Sequence, residues 1–311
     1  MTINSSNNIN LFGFNGLFIE LKKLHDKKVL PNKIIFSGIK GIGKATFAYH
    51  LTNYIFSHNE DNKYDYINNI ILENNYSYKL VKKNTHPNFF LITNDEGKIN
   101  IQISKIREMI NFTNKSSFND DYKIIIIDNV EHLNINSVNA LLKIIEEPNN
   151  KIYFFLIHDN KINILDTLKS RCIKFNFLLN SQAKTKIINQ LLNNDFYNNL
   201  NNDFKNIYNS PGDLVLLNDF FKENNVDENI SIDDFLKMII EKSLFKKSFY
   251  IKRNLSYFLE LYFNKKINYF RSKDKFFYFY KYFLSKISDS NKYNLDIESI
   301  LIEFNGKMLN G

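Results

Sequence analysis

The chain has 311 residues, 44% of them hydrophobic, with a single cysteine and a formal net charge of +8. That length suits two or three domains of about 100–200 residues each, and Cys172 on its own excludes an internal disulfide and any Cys-based zinc cluster. No apolar run approaches the roughly 20 residues of a membrane helix, and Met1 to Asn10 are polar and Asn-rich, so the expectation is a cytoplasmic protein with no membrane contact and no zinc. The positive charge admits a nucleic-acid partner, but Lys, Asn, Ile and Phe are enriched along the whole chain and the basic residues gather into no visible stripe. Among so many lysines, Arg107, Arg171, Arg253 and Arg271 stand where Lys was available and not used.

Leu11 to Leu30 reads as a short amphipathic helix ending before Pro31. Lys33 to Phe47 is the most informative stretch. An apolar run, K-I-I-F, enters the turn S-G-I-K-G-I-G-K and then a helix to about Phe56, with Phe47, Leu51 and Tyr54 on one stripe. Gly38, Gly43 and Lys44 fit G-x-x-x-x-G-K, with Gly41 between them. In that pattern backbone N–H groups curl around phosphate oxygens, the lysine reaches the terminal phosphates, and the helix offers its positive end. The next position should hold Mg²⁺ through a hydroxyl; it is Ala45, and Thr46 comes one residue late.

His58 to Asn84 is polar with weak periodicity, suiting one short helix and a loop. His86-Pro87 reads as a turn without chemistry, and Phe89 to Ile92 as a buried strand. Asp95 to Lys98 is expected to turn, and Ile103, Ile106 and Ile110 set a helix over Ile101 to Phe112. Lys123 to Asp128 is an apolar run ending in a carboxylate, the form of a central parallel strand that delivers a Mg²⁺-water ligand beside a phosphate loop. A buried strand that merely meets an Asp at its turn is the plainer alternative. Asn136 to Glu147 is a helix stopped by Pro148, Ile152 to Ile157 a third buried strand, and Ile173 to Phe177 a last one after Ser170-Arg171-Cys172. The alternation predicts a parallel sheet with right-handed crossovers and a ligand site at the carboxyl ends of its strands.

Beyond Leu178 the pattern turns helical. Ser181 to Leu192 is amphipathic, Ser210-Pro211-Gly212-Asp213 opens another helix, and Phe235, Ile239, Leu255, Phe258, Leu259 and Tyr262 recur at helical spacing, predicting a bundle. The aromatic run Phe276 to Tyr280 between lysines reads as core, with base stacking as its alternative.

Six segments together resemble the delta-prime family of bacterial DNA polymerase III clamp-loader subunits: S-G-I-K-G-I-G-K-A-T at 37–46, T-H-P-N-F-F-L-I at 85–92, I-I-I-I-D-N-V-E at 124–131, N-A-L-L-K-I-I-E-E-P at 139–148, L-K-S-R-C at 168–172 and N-S-P-G at 209–212. The resemblance covers almost the whole chain. It implies an α/β P-loop AAA+ domain over 1–178, a small helical lid over 179–222 and an all-α collar over 223–311. The collar would join delta and gamma/tau subunits in a hetero-pentamer, part of a DNA-directed DNA polymerase holoenzyme in a nucleoid-associated replisome, that loads the sliding clamp on primed DNA.

In that resemblance Ser170-Arg171-Cys172 is an arginine-finger motif aimed at a neighbour's nucleotide site. Physically, a planar and always-charged guanidinium supplied in trans stabilises charge on a transferring phosphoryl group; a surface Arg paired with a carboxylate is the plainer alternative. Several positions depart from an active ATPase. Ala45 lacks the metal hydroxyl, Asn129 stands where a Glu would activate water, Asp213 stands where nucleotide-sensing relatives carry Arg, and His158 occupies the sensor-one position. The glycine loop, Lys44 and Asp128 remain, so weak binding of ATP with Mg²⁺ and little hydrolysis are expected. The reading is a stator subunit. The alternatives are an ATP-hydrolysing gamma/tau-type motor and a DNA-binding adaptor.

Overall fold

The computed structural model describes residues 5–94, 100–147, 151–192, 195–205, 210–269, 272–293 and 295–309. The expected turn at Asp95–Lys98 and the helix stop at Pro148 lie outside the described residues, as does Arg271. The chain forms two units, residues 1–190 with 210–213 and residues 191–209 with 214–311.

In the first unit α1 (Asn15–Asp26), β1 (Lys33–Gly38), α2 (Lys44–Phe56), α3 (Tyr76–Lys82), β2 (Phe89–Ile92), α4 (Ile103–Asn114), β3 (Lys123–Ile127), α5 (Ile135–Glu146), β4 (Ile152–Asp159), α6 (Asp166–Lys169), β5 (Ile173–Asn176) and α7 (Ser181–Leu192) follow in order. The strands build one parallel sheet in the order β2-β3-β4-β1-β5. This is the expected α/β architecture, a parallel sheet with helices on both faces, followed by an all-helical part.

The inner strands β3 and β4 read as apolar runs because both their faces are covered, while β5, at the sheet edge, is mostly exposed. Successive side chains still alternate between two cores. Ile34, Phe36, Ile124, Ile126, Tyr153, Phe155 and Ile157 face the side covered by Phe18 and Leu21 of α1 and Phe47 and Leu51 of α2. Ile35, Ile125, Ile127, Phe154 and Leu156 face Ile106 and Met109 of α4 and Val138, Leu141 and Ile145 of α5. The one charge in β3, Lys123, runs its stem along this core and donates to the carbonyls of Phe112 at 2.6 Å and of Lys115.

α1 is shorter than the expected Leu11–Leu30. Gly13 and Phe14 stand at positive φ before it and Lys28 at φ 59° after it, so the chain leaves helical geometry at both ends. The polar stretch before α3 is organised by side chains. Asn75 caps α3 by accepting from the Tyr78 N–H at 2.6 Å, receives the Asn53 amide at 2.7 Å and donates to the Asn62 carbonyl at 2.7 Å. Glu60 takes the next N–H groups, of Tyr76 and Ser77, at 3.0 Å each.

In the second unit α8 (Asp195–Asn199), the remainder of α9 (Pro211–Glu223), α10 (Ile232–Glu241), α11 (Leu244–Lys247), α12 (Phe249–Lys266), α13 (Lys273–Tyr293) and α14 (Ile297–Phe304) surround a phenylalanine-rich core. Phe235 meets Phe258, and Phe283 meets Phe304, each at 5.1 Å between ring centroids in edge-on geometry. Lys265 bridges Asp203 and Asp233 at 2.8 Å each, and Lys266 pairs with Asp233 at 2.7 Å, so every charge in this partly buried group is matched.

Candidate functional site

The register sets Ser37 at the end of β1 opposite His158 of β4 and Asn176 of β5. The phosphate-type loop, Gly38 to Gly43, therefore leaves the carboxyl edge of the sheet. Two conformations demand glycine: Gly41 at φ 76° and Gly43 at φ 105°. Gly38 is required by space, since a Cβ there would lie 2.7 Å from the Phe177 carbonyl.

Lys44 opens α2 and turns back, its ammonium donating to the carbonyls of Gly38 at 2.7 Å and Ile39 at 2.8 Å. Burial draws its pKa down to about 8, against the opposing pull of the Asp159, Glu131 and Asp128 carboxylates. Asp128 follows β3 as expected. Burial pushes its carboxyl up, while Lys40 and Lys44 pull it down and Glu131 adds to the rise. Three carboxylates and two lysines thus share the carboxyl edge beside the loop.

The groups that an active ATPase would direct at metal and water are turned to other tasks. Ala45 packs against the α1–α2 core. The Thr46 hydroxyl accepts from the Asn8 amide at 3.5 Å. Asn129 sits in left-handed geometry, φ 59° and ψ 57°, a conformation Asn tolerates better than most side chains. Glu131 accepts the Asp159 N–H at 3.2 Å. His158 is buried, with both ring nitrogens taken. Its Nε2 donates to the Ile162 carbonyl at 2.7 Å, which leaves Nδ1 to accept from the Ser37 hydroxyl at 3.1 Å. The glycine loop and Lys44 fit a phosphate group; Ala45 brings no hydroxyl to hold Mg²⁺, Asn129 no carboxylate, and Glu131 already accepts the Asp159 N–H.

The start of α9 closes on the same loop. Ser210 and Asp213 cap each other: the Ser210 hydroxyl donates to Asp213 at 2.7 Å and accepts the Asp213 N–H at 3.1 Å. Between them the Gly212 N–H donates to the Gly41 carbonyl at 3.0 Å. Asp213 also faces Lys184 of α7, whose pKa burial lowers and Asp213 raises.

Ser170, Arg171 and Cys172 lie elsewhere. They precede Ile173, which pairs with Ile34 at the start of β1, so Arg171 stands at the amino edge of the sheet. That is about four strand residues, or roughly 13 Å along the strands, from the level of the loop. The Arg171 side chain is exposed; its Nε donates to Glu146 of α5 at 2.6 Å and its Nη1 to the Thr167 carbonyl at 2.9 Å. The Ser170 hydroxyl donates to the Thr167 carbonyl at 3.1 Å. Cys172 packs beside the α4–α5 core, and burial pushes its thiol up to about 11, so it is not a nucleophile at neutral pH. Glu146, Ser37 and Asn8 are the residues that sequence reasoning missed. Each acts on a partner at least 25 residues away, out of reach of any local pattern.

Residues 15–180 match the sequence profile of the family described as DNA polymerase III, delta subunit. A curated relative from Buchnera aphidicola of Schizaphis graminum, DNA polymerase III subunit delta', is 29% identical over 180 residues, covering 58% of this chain and 52% of that protein. The subunits of the same name from Pseudomonas aeruginosa and Escherichia coli are each 30% identical, over 96 and 94 residues, covering 31% and 30% of this chain and 29% and 28% of theirs. The matched parts thus span about half, or less, of these relatives' lengths. Among solved structures, a DNA polymerase III gamma subunit-related protein from Thermotoga maritima aligns over 92% of this chain and 97% of its own at 16% identity, with a TM-score of 0.49.

Proposed function

The chain belongs to the DNA polymerase III delta-subunit family, and from that premise we propose that it serves as the delta-prime-type stator of a clamp loader. In this role it contributes little ATP turnover of its own and presents Arg171 to the nucleotide site of a neighbouring gamma/tau motor subunit. The loader it joins, with delta, opens the sliding clamp and sets it on primed DNA in the cytoplasm. The lid would comprise residues 179–222 and the collar residues 223–311.

One observation carries the proposal: Arg171 is exposed at the amino edge of the sheet, while the chain's own phosphate loop leaves the carboxyl edge. A guanidinium so far from its own loop cannot serve a phosphate bound there, and its exposure leaves it open to one held by another chain. Glu146 and the Thr167 carbonyl hold it by two of its donors, which costs less ordering on docking than a free side chain would. Lys44, the glycines and Asp128 support weak binding of ATP with Mg²⁺; Ala45 and Asn129 argue against this subunit as a motor.

The test is DNA-stimulated ATPase of the loader rebuilt from its own partners, with wild-type chain and with Arg171→Ala, after assembly of both is verified by gel filtration. Loss of turnover with assembly intact supports the finger. Unchanged turnover removes Arg171 from the mechanism.

A further inference from the structure

We propose that the exposed face of α13, built from Phe277, Tyr278 and Lys281 with Lys273 and Lys275 in the turn before them, binds single-stranded nucleic acid by base stacking and phosphate contact. The inference goes beyond the role of Arg171 and does not depend on it.

The charges are unevenly distributed along the chain. Residues 242–311 hold 14 of the chain's 41 basic side chains and 6 of its 33 acidic ones, which leaves 27 of each sign in residues 1–241. Lysine is abundant throughout, but the whole net charge of +8 lies in residues 242–311, where few carboxylates offset it. A compositional bias would charge both parts alike. A positive surface confined to one part is the electrostatic footprint of an anionic partner.

Exposed aromatic rings on the same helix choose the partner. Phe276 and Phe283 of the aromatic run are buried, as expected of a core, but Phe277 is 47% and Tyr278 is 62% exposed. Those two rings flank Lys281, which lies four residues after Phe277 and three after Tyr278 and so on the same helical face. Lys273 and Lys275 are exposed one turn earlier, beside Asp274. Further along, Tyr282 stacks on Tyr278 with centroids 5.9 Å apart and planes 17° apart. Lys286 and Lys307 there are both paired with Glu303, at 3.0 and 2.6 Å, and are not counted on. An acidic polypeptide would be met by lysines alone. Water-exposed aromatic rings alternating with lysines match successive bases and their phosphates, because every base has a face to stack and a phosphate to neutralise.

The experiment is fluorescence anisotropy of a labelled 20-nucleotide oligo-dT with the full chain. Three lysine contacts to a single strand give a log–log salt slope of about −2, so affinity should fall about 20-fold between 50 and 200 mM NaCl. Joint Phe277→Ala and Tyr278→Ala substitution should weaken binding about tenfold or more without changing that slope. Lys273→Glu, Lys275→Glu and Lys281→Glu together should remove most of the binding and the slope. Tyr278→Phe, which keeps a ring, should retain affinity, as should Lys82→Glu with Lys83→Glu in the first unit. All these side chains are exposed, and unchanged melting curves certify the folds. No oligo-dT binding at 50 mM NaCl, or binding indifferent to loss of both rings, overturns the proposal. Polyglutamate competing as well as oligo-dT assigns the face to an acidic protein instead and overturns it equally.

Discussion

The Gly212 N–H donates to the Gly41 carbonyl at 3.0 Å, joining the first turn of α9 to the phosphate-type loop. The two backbones approach so closely that a Cβ on Gly212 would lie 2.8 Å from the Gly41 oxygen and 2.9 Å from its Cα. These are main-chain atoms with no rotamer to escape into. Gly212→Ala should therefore destabilise the protein by about 1–3 kcal/mol, the usual cost of forcing extra atoms into a packed site, and lower its melting temperature by several degrees. Gly306→Ala, where a Cβ meets nothing within 4 Å, is the control and should leave the melt within a degree or so. Equal effects of the two would show that the loop–helix contact does not carry stability.

Glu146 sets the direction of Arg171 through the 2.6 Å bond to Nε. Both side chains are more than a third exposed, so the pair is worth under about 1 kcal/mol and Glu146→Ala should barely move the melting curve. Its effect belongs to the assembled loader. Arg171→Ala should lower turnover at the served site by on the order of 10³, and Glu146→Ala by less, since the guanidinium is still present but no longer held. Glu146→Gln, which keeps an acceptor for Nε, should fall between wild type and Glu146→Ala. A Glu146→Ala loader as slow as Arg171→Ala would point to a role for Glu146 of its own.

Lys44 gives the stability curve a basic limb. Its folded pKa lies near 8, below the unfolded 10.5. Between those values the unfolded chain binds more protons, so stability rises as pH goes from 8 towards 10.5 and is flat in this respect below 8. The carbonyls of Gly38 and Ile39 favour the charged form and hold the gain to about 1–3 kcal/mol. Lys44→Met keeps the stem and removes the proton. Urea midpoints at pH 8 and pH 10 should diverge for wild type and stay level, relative to it, in the variant.

The sheet was legible because fully buried parallel strands announce themselves as apolar runs, and Ile124 to Ile127 admit no other reading. The loop was legible because its glycines and lysine are local in sequence. What the site does with them was not. His158 finds Ser37 across 121 positions, and Gly41 finds Gly212 only through the packing of α9; nothing in either neighbourhood foretells the partner. The polar segment before α3 was opaque for another reason, since Asn75 and Glu60 fold it through side-chain bonds that leave no periodicity. The charge asymmetry was present in the sequence throughout. It emerges on counting signs by segment and is invisible to a search for a stripe of lysines.

Acid should unlock the first unit through one buried and one half-buried imidazole. His50 of α2 is fully buried, and the Asn8 carbonyl 3.0 Å from Nε2 can only accept, so Nε2 carries the proton and Nδ1 accepts from the Tyr64 hydroxyl at 2.9 Å. Burial draws its pKa down to about 4. His86, stacked on Phe56 with centroids 4.1 Å apart, accepts the Asn88 N–H at Nδ1 and is likewise drawn down by burial to about 4. Each folded pKa lies below the unfolded 6.5, so between pH 6.5 and 4 the unfolded chain binds more protons and stability falls as pH falls. Protonation of His86 would also set an N–H against the Asn88 N–H, a donor that cannot reverse, whereas the Tyr64 hydroxyl can turn to accept from His50. Denaturation midpoints should drop steeply from pH 6.5 to 4.5. His86→Phe, which keeps the stack on Phe56 and loses the titrating nitrogen, should flatten part of that drop, though it forfeits the Asn88 bond at every pH. An NMR titration in which either imidazole protonates near its ordinary 6.5 in the folded protein would refute the assignment for that residue.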